Sequence, residues 1–238
     1  LETALEQYLA LNYEYDVAYY VDVLLPTERL ASFVNARKDH PQHDYLLYAL
    51  GVRYMRDKRW DDARATLRQV RTETVPPIES NYYGKNREVI FAKEPDWDER
   101  TVLKTSWVMQ DLKSIDALEH LEKAVETAPD DEAKAEAMYQ LASYQFEADD
   151  LLFYNPAAWK GMRHWLLDDL ADSGRTRFAN EEQTIFEHSQ QHEGLSRAIP
   201  IYLEIAERFP NTRAAKDALY SAAVAQQRVS NLNPYWRD

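Results

Sequence analysis

The residues whose types and spacing come nearest to chemistry are His188 and His192, four apart and flanked by Glu187 and Glu193. Positions i and i+4 share one face of a helix, so both imidazoles could meet a divalent metal there. The string between them is Ser-Gln-Gln, and the glutamate that would follow the first histidine as general base in a zinc protease helix is missing. Two solvated histidines near a helix end are the simpler account, and a metal-binding or metal-dependent hydrolytic module is the alternative. His40 and His43 flank Pro41-Gln42 and read as a turn. Asp149-Asp150 and Asp168-Asp169 are adjacent carboxylates, which point away from one another on a helix and make poor acid/base partners. The five glycines, at 51, 84, 161, 174 and 194, are too far apart for a phosphate-binding loop. There is no GxSxG elbow. There is no cysteine, which removes thiol nucleophiles, disulfides and thiolate metal sites. The expectation is a protein that is not an enzyme and holds no cofactor and no metal.

The elements that would position any site are helices. Of 238 residues 45% are hydrophobic, enough for a core, and so few glycines disfavour a turn-rich β fold. Lys and Arg number 28 against 41 Asp and Glu, a formal charge of −13 that repels phosphate backbones and anionic lipid surfaces. Neither a nucleic-acid partner nor direct membrane insertion is expected, since no apolar run approaches the ~18 residues of a membrane span. The chain opens on Leu1 without a signal-like stretch, so the expectation is a processed protein or an excised piece of one.

Between Asp44 and Val70, Leu47, Leu50, Gly51 and Tyr54 follow helical spacing. Arg56 to Arg59 break the pattern, and Ala63, Leu67 and Val70 begin a second stripe. Small Gly51 and Ala63 would let two antiparallel helices approach closely. Leu47, Leu50-Gly51, Tyr54, Trp60, Ala63, Leu67 and Val70 resemble the tetratricopeptide repeat (TPR) signature. Its second-helix pattern recurs as Ala117, Leu121, Ala124, Pro129; as Ala198, Tyr202, Ile205, Pro210; and partly as Phe33, Ala36, Pro41. Its first-helix pattern recurs as Met138, Leu141, Ala142 and as Leu219, Ala222, Ala223. The resemblance implies an all-α fold, an α-solenoid of about five antiparallel helix pairs plus a final helix, over residues 1–238 as a single domain. Anchor positions Arg29, Ala63, Ala117 and Ala198 place an inserted loop at 74–98 and a degenerate repeat and linker at 149–180. The expected helices include Glu2–Leu24, Thr27–Lys38, Asp44–Asp57, Trp60–Glu73, Glu99–Asp111, Ser114–Thr127, Asp131–Ala148, Pro156–Ala171, Glu181–His192, Leu195–Arg208 and Thr212–Val229, with Ser114, Asp130 and Asn211 as caps.

The same resemblance implies a function. Tyr45, Tyr48, Val52 and Met55 form a second apolar stripe at the positions that line the family's concave groove; Tyr139, Ser143 and Phe146, and Tyr220 and Val224, map there by the same offset. Arg56 and Arg228 fall where the family holds carboxylates. The reading is a non-catalytic scaffold that binds a peptide or a partner protein in this groove. Against it stands burial of the same stripe by other parts of the chain. A further alternative is an assembly subunit of a larger envelope complex, or a homo-oligomer, with no peptide ligand. Ile201–Gln227 is similar in style to TPR proteins of the bacterial cell envelope, which implies a periplasmic or envelope location, with the cytoplasm as alternative.

Overall fold

Leu5 and Leu9, one helical turn apart, are the buried face of helix α1 (Glu2–Leu11). In the computed structural model of the chain the described residues are 2–11, 14–71, 77–78, 105–148, 152–153, 155–159, 180–192 and 194–230. They form an all-α fold. Helix α2 (Glu14–Ala18) widens into a π-helical turn over Tyr19–Leu24, closed by the Leu25 N–H donating to the Tyr20 carbonyl at 3.0 Å. Pro26 ends it: the residue before a proline is pushed to extended backbone, and Leu25 sits at ψ 131°. The expected helix Glu2–Leu24 thus changes its winding at Tyr19, and its residues 12 and 13 lie outside the described ones.

Next come α3 (Thr27–Asn35), α4 (His43–Arg56) and α5 (Trp60–Leu67). The turn between α4 and α5 is a Schellman cap. The Lys58 N–H donates to the Met55 carbonyl and the Arg59 N–H to the Tyr54 carbonyl at 2.9 Å, with Lys58 left-handed at φ 57°. Gly51 is where α4 meets α5: a Cβ built there would lie 2.6 Å from a Leu67 methyl, so any other residue would push the Leu67 side chain aside. Helix α5 stops at Leu67, short of the expected Glu73.

Two-residue strands β1 (Pro77–Ile78) and β2 (Thr105–Ser106) pair antiparallel, Pro77 opposite Ser106 and Ile78 opposite Thr105. β1 lies inside the expected insertion 74–98, while β2 falls beyond it, where the helix Glu99–Asp111 was expected; the insertion's other residues, including the short helix anticipated near Asn86–Ala92, lie outside the described ones. Helix α6 (Trp107–Glu126) runs unbroken where two helices were expected. Asp111-Leu112-Lys113-Ser114 contains no glycine or proline to stop it, and Ser114, read as a cap, is fully buried inside the helix with its hydroxyl unpartnered. Helix α7 (Asp131–Ala148) does begin on an aspartate cap, the Ala133 N–H donating to Asp130 Oδ1 at 2.8 Å.

A short α8 (Pro156–Trp159) follows, then α9 (Asn180–His192), α10 (Gly194–Arg208) and α11 (Arg213–Ser230). The expected helix beyond Trp159 and the linker 172–179 lie outside the described residues. The core has two parts. One gathers the buried faces of α1 to α6 with Leu152, Phe153, Trp159 and Ile185. The other unites Met138 and Ala142 of α7 with Ala198, Tyr202 and Ile205 of α10 and Ala214, Ala215, Ala218 and Ala222 of α11. Alanine dominates α11 at this seam, which lets α10 and α11 lie close. Among the described residues no helix is long and apolar enough to cross a membrane.

Candidate functional site

The π-helical turn aims Asp22 into the protein, where each of its carboxylate oxygens accepts two hydrogen bonds. Asp22 and Arg56 form a buried ion pair, Nη1 to Oδ1 at 2.6 Å and Nη2 to Oδ2 at 3.1 Å, with both side chains at 1% exposure or less. The Trp159 indole N–H donates to Asp22 Oδ2 at 2.6 Å, and the Asn155 amide to Oδ1 at 3.2 Å. Asn155 also caps α8, its Oδ1 accepting from the Ala158 N–H at 3.0 Å. Arg56 also donates to the Phe153 carbonyl, at 3.0 and 2.7 Å, and to the Asp22 carbonyl at 3.4 Å. Phe153 has φ 68°, a left-handed conformation that costs a bulky residue energy and persists because its surroundings hold it. Arg53 closes the other side, donating to the carbonyls of Asp22 and Leu25 at 2.8 Å each, two of those left open where the π turn ends. Burial by itself would raise the Asp22 carboxyl; the charges of Arg56 and His188 and the bonds from Arg56 and Trp159 hold it well below the usual carboxylate range.

The two histidines border this cluster, with ring centroids 4.5 Å apart. Arg197 of α10 donates to His192 Nδ1 at 2.9 Å and to the Arg56 carbonyl at 3.1 Å, with its guanidinium 4.2 Å from the Phe153 ring centre. Burial, then Arg56, His188 and Arg197, push His192 down to about 2. Arg197 falls to about 10 through burial and Arg56. His192 is thus neutral with its Nδ1 lone pair occupied, and its neighbours are cations, which oppose a metal ion. Among the described residues no three His, Asp or Glu side chains converge as a metal cage.

The expected groove residues part company. Tyr48, Val52 and Met55 are buried, and Arg56 grips the chain's own Asp22, so none of the four offers surface to a partner. The π turn, α6 and α8 pack on α4 and close this face. Tyr48 donates to Asp111 Oδ2 of α6 at 2.6 Å, and Tyr45 is half-buried against the core. Sequence pattern does not reveal Asp22, Asn155 and Trp159 as a cluster because Asp22 stands 34 residues from Arg56 and 133 and 137 from Asn155 and Trp159; the local sign was Asn155-Pro156, a helix-start signal.

On α7 and α11 the corresponding stripe stays partly open. Tyr139 and Phe146 are half-buried and meet the Tyr202 ring at centroid distances of 5.4 and 6.4 Å. The Tyr139 and Ser221 hydroxyls are 3.2 Å apart, and those of Ser143 and Tyr202 3.1 Å. Arg228 lies 5.0 Å from the Phe146 ring centre, a cation–π contact. Tyr220 is 74% exposed. This is an aromatic surface with one cation over it, built on two helices that share the second core. Leu219 and Ala223, expected to pack as a first-helix face, are exposed. Compared with known proteins, the chain matches no family model, no curated protein and no solved structure.

Proposed function

We propose that the chain is a TPR-like helical-repeat scaffold without catalytic function, whose partner-binding surface is confined to α7 and α11. The observation that carries the reading is the half-open set Tyr139, Phe146 and Arg228 beside exposed Tyr220. Aromatic rings and an arginine fixed by ring contacts are the side chains that most often dominate protein interfaces, since they bury large area at little cost in side-chain freedom. The charge of Arg228 favours an acidic or carboxylate-bearing segment of a peptide or protein. The solenoid arrangement rests on the Gly51–Leu67 approach of α4 and α5 and on α10 packing between α7 and α11.

The test compares proteins retained by the wild type with those retained by a Phe146→Ala, Arg228→Ala double variant of unchanged helicity. Loss of specific partners, or weakening by about tenfold or more, is expected of a central aromatic–arginine contact. Identical partners held with unchanged affinity would remove the groove assignment.

A further inference from the structure

A guanidinium stays charged at neutral pH, so one taken out of water needs an anion or a full set of acceptors. Arg56 has Asp22, and Arg64 has Asp61, Asp116 and Glu119. Arg53 spends both terminal nitrogens on carbonyls. Arg197 has neither. Among the described residues no carboxylate forms an ion pair with it. Its Nη2 donates to the Arg56 carbonyl and to His192 Nδ1, while its Nε is buried without an acceptor. The other buried side-chain atoms without a partner among the described residues sit on His43, Ser114 and Gln145, an imidazole, a hydroxyl and an amide. Only the Arg197 nitrogen belongs to a fixed charge, and an orphaned buried donor of that kind points to a missing ion.

The position of Arg197 makes its charge costlier still. It stands on the first turn of α10, the end of a helix that favours anions, and no acidic residue stands there. Arg56 repels it, and Asp57 attracts it without forming an ion pair. Arg53, Arg56 and Arg197 against Asp22 and Asp57 leave one positive charge unmatched. Arg197 also sets the state of the neighbouring ring. An arginine can only donate, so His192 Nδ1 accepts and the neutral imidazole carries its proton on Nε2. That N–H meets no acceptor among the described residues. Both side chains are half-buried, so a small solute can reach them.

We propose that the Arg197 guanidinium and the Nε2–H of His192 form an anion site where α9 and α10 meet the end of α4, and that its ligand is a small carboxylate. One unmatched positive charge calls for a monoanion, and Asp22 on Arg56 is the same pairing made within the chain. The Phe153 ring, 4.2 Å from the guanidinium, holds it in place for the ligand. The site shares no residue with the α7–α11 groove and goes beyond that reading.

Acetate is the probe. Urea unfolding of the full chain is followed at pH 7.5 while sodium acetate replaces sodium chloride at constant ionic strength. A ligand held only by the folded state raises the midpoint saturably, and the wild type should show that rise. Arg197→Met, close in length but uncharged, should abolish it. Arg197→Lys, which keeps a charge but loses the planar fork, should weaken acetate by about tenfold or more. Arg64→Gln and Phe146→Ala, both outside the site, should keep the wild-type rise. In the wild type, acetate should also shift the His192 ring resonances, a readout that stands even where an Arg197 variant does not fold. No rise in the wild type, an equal rise in Arg197→Met, or a rise with the His192 resonances unmoved would overturn the site. A larger effect of phosphate than of acetate at equal ionic strength would overturn the carboxylate as its ligand.

Discussion

Helix α4 and helix α11 carry matching residues and meet opposite fates. Tyr48 is fully buried and Tyr220 is 74% exposed; Arg56 is locked on a carboxylate inside the protein while Arg228 lies over a ring at the surface. The difference comes from neighbours. The face of α4 is closed by a π turn, by α6 and by α8, three segments far apart in sequence that all reach it. The face of α11 has no such cover among the described residues. The same positions serve as internal glue in one half and as surface in the other, so an apolar helix face is lost as surface wherever the chain supplies its own ligand. Here Asp22 is that ligand for Arg56.

The largest effects are expected where α4 is closed. Asp22→Ala leaves the Arg56 charge without its counter-ion and orphans the donors of Trp159 and Asn155. Removing one partner of a buried pair costs about 3–5 kcal/mol, and urea denaturation should read a loss of that order. A cost below about 1 kcal/mol would mean that the pair is solvated and the two faces are not so different.

The tyrosines give a graded version of the comparison. Tyr48→Ala empties a fully buried site and should cost about 3–5 kcal/mol, Tyr139→Ala less because its ring is half-exposed, and Tyr220→Ala within about 0.5 kcal/mol of zero, as at ordinary surface positions. Equal losses at 48 and 220 would mean that α11 is covered in solution.

How much of this was legible in the sequence follows from the range of the contacts. Gly51, Ala63 and Leu67 announced a close helix pair because the information lies within one hairpin, and the Asp130 cap was readable for the same reason. The stripe Tyr48–Val52–Met55 was equally visible, but periodicity states only that a face is apolar, and burial by a distant segment looks the same as burial by a partner. Asp22 gave no signal, since its partners Arg56, Asn155 and Trp159 stand 34, 133 and 137 residues away. The change of winding within Glu2–Leu24 is half local: Pro26 marks the end of the π turn, but nothing in Tyr19–Leu24 foretells the wider winding. Ser114 has the residue type of a cap, but no glycine or proline precedes it to stop a helix, so α6 runs through it.

The smallest effect separates the two halves by pH. His192 stands at the edge of the buried cluster and is held at about 2, against 6.5 for an unperturbed imidazole. The unfolded chain therefore takes up a proton as pH falls through about 6.5, and the folded chain refuses it until the solution is far more acidic. Stability contributed by keeping this ring neutral is complete above the unfolded value and declines as pH drops below it, by at most about 1.4 kcal/mol per unit and by less because the ring is partly exposed. Asp22 does not interfere in that window. Its folded carboxyl is depressed, so its contribution is already full above the unfolded carboxylate value near 4 and is lost only as pH falls through the lower folded one. Unfolding free energies from urea titrations between pH 7.5 and 5 should thus fall by an amount on the order of 1 kcal/mol in the wild type. His192→Gln keeps an acceptor for Arg197 but cannot titrate, so it should flatten the profile, whereas Tyr220→Ala on α11 should leave it unchanged. A slope that survives His192→Gln would place the pH sensitivity outside the buried cluster and weaken the contrast between the closed α4 face and the open α11 face.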